Sequence, residues 1–370
     1  GGGHSIGAFQ MTTWKDRRIL DLLGIEFPII QAPMAVANGA EMVIAVSQAG
    51  GLGSLPCAQL SPEQVHEAAR QIRARTNAPF NLNFFCHAAP NPDDQAVKAR
   101  LAKWRMHLAP YYEEAGLPAD TPVPLSGRAP FDDAWCRVVE EIRPAAVSFH
   151  FGLPTPDLLA RVKATGAKIL SSATTVAEAR WLEARGVDAV IAMGAEAGGH
   201  RASFLQMDMS CQVGTFALVP QIADAVSVPV IAAGGIADGR GVAAALVLGA
   251  SAVQVGTAYL LTREATISEA HRAALMSATD DGTQITNIFT GRPARSISNR
   301  AIRELGPLSD LAPDFPLAGG PLAPLRTSEA LNGGAEFSNL WAGQSAALTK
   351  PTSAASLTKA LAADALTRLC

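Results

Sequence analysis

The residues best suited by type and spacing to do chemistry run from Met193 to His200, Met-Gly-Ala-Glu-Ala-Gly-Gly-His. Three glycines and two alanines fall within seven residues and end at a single histidine. Without a Cβ, such glycines let main-chain N–H groups come close to a ligand. A histidine directly after them can take or give a proton near neutral pH. Taken alone, the stretch reads equally as a flexible loop with a surface histidine. Its setting decides, because it follows Asp188–Ala192, a short apolar run that reads as a strand.

Other runs of this kind surround it. Pro28–Gln31, Gly51–Leu55, Phe80–Phe85, Ala146–Phe149, Lys168–Ser171, Ala189–Met193, Pro229–Ala233 and Ala252–Val255 give eight short strands. Helical patterns follow them: Gly39–Gln48, a helix from Ser61 to about Arg75, Thr155–Thr165, Thr175–Arg185, Phe216–Val226 and Gly239–Leu248. Ser61-Pro62-Glu63-Gln64 is a strong start signal, with proline in the first turn and a capping box. Continuously apolar strands imply burial on both faces, as in parallel sheets. The βα repeat predicts an α/β protein built as a (β/α)8 TIM barrel over residues 11–264. A doubly wound sheet would carry Gly-x-Gly-x-x-Gly after its first strand, whereas here Ala32-Pro33-Met34 follows. Pro90–Trp135 interrupts the repeat and reads as a rim insertion, with helical patterns at Asp94–Met106 and Trp135–Ile142. Residues 265–370 read as a C-terminal capping region over the mouth, strand-like at Asn287–Ile297 and helical at Ser353–Leu369. Residues 1–10 read as an expression leftover.

Barrel active sites form at the carboxyl ends of the strands. Two glycine turns sit there in consecutive units, Gly234-Gly235 after the seventh strand and Gln254-Val255-Gly256-Thr257 after the eighth. Their bare N–H groups, the Thr257 hydroxyl and a short helix at Ala258–Leu261 suit a phosphate better than plain tight turns. Ala32-Pro33-Met34 leaves room for a flat ring. Asn83 is open to two readings, a ligand contact or a turn amide. His150 is likewise either a rim histidine or a participant beside His200. No metal site is expected, since neither histidine has the partners one needs. No strand ends in lysine, which argues against Schiff-base chemistry, and no nucleophile elbow is present.

A net charge of −3 without a basic stripe argues against nucleic acid. Five scattered cysteines, none in C-x-x-C spacing, fit a reducing cytoplasm better than a disulfide framework. The apolar stretch Val242–Leu261 is broken by Gly249, Ser251, Gln254 and Gly256, so no membrane span is expected.

Together Gln31-Ala32-Pro33-Met34, His150-Phe151-Gly152, Glu196–Arg201, Ala233–Gly239, Gln254–Thr257 and Leu340–Gln344 resemble the nitronate monooxygenase family, formerly the 2-nitropropane dioxygenases, in its first class. The resemblance implies FMN on a TIM barrel. Ala32, Pro33 and Met34 would contact the ring, with Asn83, Met193, Gly198, Gly234, Gly235 and Gln254–Thr257 as further contacts. It implies His200 as the active-site histidine, with His150 beside it, and a nitronate and O2 as substrates; a homodimer is left open. An NAD(P)H-dependent FMN reductase acting on quinones or enoyl thioesters shares these features, and a non-catalytic flavin-binding barrel is the third reading. Two departures stand out. The family usually has Gln where this chain has Met193, and Gly where it has Ala202. A thioether cannot donate a hydrogen bond to a flavin.

Overall fold

The structure, a computed structural model, describes residues 13–124 and 128–370. The expected expression leftover, residues 1–10, lies outside the described residues. Strands β1 (Ile29–Gln31), β2 (Gly53–Pro56), β3 (Phe80–Phe85), β4 (Ala146–His150), β5 (Lys168–Ala173), β6 (Ala189–Met193), β8 (Val230–Ala233) and β9 (Ala252–Val255) form one parallel sheet. Strand β7 (Gly199–His200) belongs to a second, small sheet. Around the large sheet the order is β1-β9-β8-β6-β5-β4-β3-β2. The ring closes where Leu52 N donates to Ile29 O and Gln31 N to Leu52 O, each at 2.9 Å. This is the expected (β/α)8 barrel.

Successive strand residues point to opposite sides of the wall. Ile29, Val190, Ala192 and Val253 pack outward under the helices. Ile30, Leu170, Ile191 and Ile231 pack inward beside the small Ala146, Ala189 and Ala252. Ile19, Leu20 and Leu23 join that inner cluster, so the helix Arg18–Leu23 plugs the barrel floor. Strand β3 departs from the all-apolar reading. Asn81 Nδ2 donates to Ser54 Oγ at 3.0 Å and Ser148 Oγ at 2.9 Å, which satisfies the buried NH2 group between three strands, while Oδ1 of the same amide has no partner among the described residues.

The helix Pro62–Arg75 begins with the capping box read from its sequence: Ser61 accepts from Gln64 N at 3.2 Å, and Gln64 accepts from Ser61 N at 2.9 Å. The eighth helix is displaced along the chain. Strand β9 runs into a short 3-10 turn, Thr257–Leu261, and the helix that completes the wall is Ala354–Leu369. It packs against Gly239–Val247 and Ala40–Gln48 on the outside, not over the mouth. A Cβ on Gly239 would lie 2.1 Å from Asp364 Oδ2, so glycine allows this close approach. Tyr259 and Thr358 hydroxyls tie the helix to the turn at 2.7 Å.

The mouth is covered by a second core of its own. The insertion helix runs Gln95–Glu114, beyond the expected end at Met106, with Pro110 inside it. Trp104, Leu108 and Tyr112 recur every fourth residue and bury against Ile288, Phe289, Ile302, Leu322 and Leu325. Trp104 Nε1 donates to Ala318 O at 2.9 Å. Strands β10 (Thr283–Thr286) and β11 (Ala294–Ile297) form an antiparallel pair, and β11 also pairs with β7, setting His200 opposite Ala294. The strand-like Asn287–Ile297 is therefore a turn followed by β11. Among the described residues no helix is long and apolar enough to cross a membrane.

Candidate active site

Between the carboxyl ends of the barrel strands and this cover lies a cavity of about 590 Å³, ample for a small organic ligand. Ala32, Pro33 and Met34 line it as they leave β1. Their turn is held by Asn38, whose Oδ1 accepts from Met34 N at 2.9 Å and whose Nδ2 donates to Ser54 O at 3.0 Å. Gly234, Gly235, Gln254, Gly256 and Thr257 line the adjoining wall. Gly234 and Gly235 have φ of 114° and 72°, a region glycine adopts without strain. The amides of Gly235, Gly256 and Thr257 meet no acceptor among the described residues, so they are available to an anion. Asn83, Met193, Gly198, His150 and His200 line the cavity as well. Val255 does not. Its side chain sits in the outer core, and it reaches the site only through its carbonyl, which accepts from Ala32 N at 2.8 Å.

The Met193–His200 stretch is not a flexible loop. Arg201 donates to Met193 O at 3.0 Å and to Gly194 O at 2.7 Å. Arg295, from β11, donates twice to Ala195 O, at 3.0 and 2.8 Å. Three successive carbonyls are thus held by two buried guanidinium groups. Glu196 accepts from Thr215 N and Thr215 Oγ1, each at 2.8 Å. Gly198 has its own reason to be glycine: a Cβ would lie 2.6 Å from Ala342 C and Gly343 N. Close approach there is by the Trp341–Gln344 segment, which is pinned by Gln344 N to Glu196 O and Gly343 N to Thr257 Oγ1, both at 2.9 Å. Met193 and Ala202, the two departures from the family pattern, share one small buried cluster with Ala197.

His200 sits among aromatic rings, with Phe315 and Trp341 centroids at 5.3 and 5.4 Å. Its Nε2 is 2.8 Å from Thr290 Oγ1. With the Thr290 hydroxyl donating to Arg292 O at 3.4 Å, the hydrogen-bond pattern assigns the proton to Nε2 and the lone pair to Nδ1. Burial holds the His200 pKa well below its usual value, and Arg128, His150 and Arg292 add to the effect. His150 Nε2 donates to His200 O at 3.2 Å, and burial brings its pKa down to about 4. Phe151, beside it, has φ of 68°, a strained value for a bulky residue. His87 packs edge-on to Phe315 at 4.7 Å and is also lowered to about 4, by burial and then by Arg292. The Arg292 guanidinium stacks 4.1 Å from the Phe151 ring. These imidazoles are therefore neutral near pH 7, and the positive charge of the site resides on arginines.

Sequence reasoning missed much of this surround. Gln59, Arg128, Thr290, Arg326 and Trp341 all line the cavity, and His87 stands just behind it. Among the described residues lining the cavity there is no Asp, Glu or Lys. Nor do three or more His, Cys, Asp and Glu side chains converge as metal ligands among them.

Residues 16–364 match the family model for nitronate monooxygenase. A nitronate monooxygenase of Paraburkholderia phytofirmans is 43% identical over 92% of this chain and 93% of its own length. Another from Pseudomonas aeruginosa is 42% identical over 93% and 97%. Among solved structures, a nitroalkane oxidase from Streptomyces ansochromogenes superposes with a TM-score of 0.84 at 37% identity, covering 95% of this chain and 98% of that one. A cavity at the strand ends of a (β/α)8 barrel, a fixed Gly-Gly-His stretch and these relatives lead to one assignment: the chain is an oxidoreductase that belongs to the nitronate monooxygenase family.

Proposed function

We propose that this chain uses FMN and O2 to oxidise alkyl nitronates, such as propionate 3-nitronate, to a carbonyl compound and nitrite. One observation carries the reading beyond family membership. The cavity is lined by two arginines and by neutral histidines, with no acidic side chain among its described residues. That suits an anion, and a nitronate is one.

The residues present fit FMN. The unengaged amides of Gly235, Gly256 and Thr257 would take the phosphate. Ala32–Met34 would border the ring, with Asn83 as a side-chain amide nearby. When bound, FMN supplies the one-electron exchange between nitronate and O2 that amino-acid side chains cannot. The chain supplies the rest. Arg128, on the cavity wall, and Arg292, stacked on Phe151 behind it, supply the positive field that attracts the anion. His200, neutral, offers Nδ1 as a base toward a nitroalkane carbon and is not a cationic stabiliser. The negative charge that develops on the nitro group as the carbon loses its proton raises the proton affinity of the imidazole in that same step.

Nitrite release from propionate 3-nitronate in air tests the proposal, with NADH oxidation measured alongside. Nitrite without NADH consumption is expected. Rapid anaerobic flavin bleaching by NADH with no nitrite would replace the proposal with the reductase reading.

A further inference from the structure

The cap wall of the cavity holds a half-buried positive charge that the proposed reaction sets against no particular group of the substrate. Arg326 lies in the helix Ala323–Ala330 and lines the cavity. Its guanidinium makes no hydrogen bond and no ion pair with any described residue. Glu329 attracts it, but the Glu329 oxygens are engaged by Glu336 N at 2.9 Å and Phe337 N at 2.8 Å. Arg128 lines the same wall and carries the same charge. With its amide oxygen turned inward, Gln59 accepts from the Arg128 guanidinium at 2.9 Å. Burial and the neighbouring Arg326 press the Arg128 pKa down to about 10. Holding the Arg326 guanidinium half-buried with no counter-ion is costly unless an anion joins it.

That anion is not the one expected on the glycine turns. Arg128 follows β3, and β3 lies four places from β8 in the ring of eight, across the mouth from Gly234-Gly235. We propose that Arg326, seconded by Arg128, is a specificity-determining site for a carboxylate that the substrate carries away from its reacting carbon. A guanidinium presents paired N–H donors that match the two oxygens of a carboxylate. The inference rests on the nitronate reading of the cavity and adds the residue that selects among nitronates.

The test compares propionate 3-nitronate with the nitronate of 1-nitropropane, equal in carbon count but lacking the carboxylate. The readout is the ratio of their kcat/KM values in the FMN-loaded enzyme. Arg326→Gln is expected to lower that ratio tenfold or more, chiefly through KM, and Arg326→Lys to restore part of it. A ratio in Arg326→Gln within about threefold of wild type overturns the proposal. Propionate binding, followed by Trp341 fluorescence, decides independently of turnover, since Trp341 lines the same cavity. Saturable binding weakened tenfold in Arg326→Gln supports the site, and binding that the substitution leaves unchanged, or no binding, removes it. If neither nitronate is turned over by the wild type, the proposed function fails, while the propionate titration still decides the carboxylate site.

Discussion

Burial of three histidines around the cavity makes the fold acid-sensitive in a window that can be calculated. His87 is only 5% exposed, and its pKa is lowered from 6.5 to about 4. His150 is lowered to about 4 as well. In the unfolded chain both take a proton near 6.5, so between the two values the unfolded state binds protons that the folded state refuses. This contribution to stability is fully present above 6.5 and is lost as pH falls from there through about 4. For one such histidine the loss between about pH 7 and pH 5 is about 2 kcal/mol. His87 and His150 together account for about 4 kcal/mol, and His200 adds to it with the same sign. Urea unfolding at a series of pH values gives the slope directly. His87→Gln should remove about 2 kcal/mol of the wild-type difference between about pH 7 and pH 5, whatever it does to stability at a single pH. If the variant and the wild type show parallel pH dependence, His87 is not kept neutral by its surroundings, and the electrostatic account of the site fails with it.

The remaining expectations are local. His200→Asn should lower turnover of nitroalkanes by about 10²-fold or more and that of preformed nitronates much less; equal losses would remove the base role. Gly198→Ala places a Cβ 2.6 Å from the Ala342–Gly343 backbone. It should cost about 1–3 kcal/mol in thermal unfolding and reduce kcat as the Trp341–Gln344 segment shifts. Met193→Gln introduces a donor at the end of β6, worth about 1 kcal/mol if it reaches bound flavin, which corresponds to a shift of about 20 mV in the two-electron flavin potential. A potentiometric titration that shows no change would place residue 193 out of reach of the ring.

The barrel was legible because its elements are local. Each short apolar run and each capped helix announces itself within a few residues, as Ser61-Pro62-Glu63-Gln64 does. Gly234-Gly235 and Gly256-Thr257 could be placed for the same reason, since their strands fix where they lie. The cover was less legible, because its core joins residues far apart in the chain. Trp104 meets Ala318, and Arg295 grips Ala195. The stripe Trp104, Leu108, Tyr112 carried the signal for a helix longer than Asp94–Met106, and Pro110 lies inside that helix. Arg128 and Arg326 look like ordinary surface cations until folding places them on the cavity wall. Gly198 was identified as a close-approach position, yet what comes close is a protein segment more than 140 residues downstream, at Ala342 and Gly343.

The displaced eighth helix bears on how the protein is made. A chain emerging from the ribosome completes its eight barrel strands by Val255, yet the outer wall between Gly239–Val247 and Ala40–Gln48 stays bare until Ala354–Leu369 has followed. Almost a hundred residues of translation separate the two events. During that interval the nascent barrel carries an open apolar seam, the kind of surface that invites chaperone binding or misassociation. The seam closes only after the cover over the mouth has been synthesised. Synthesis order thus links a finished wall to a finished lid, and a ribosome stalled between Thr262 and Ser353 would display a barrel with one stave missing.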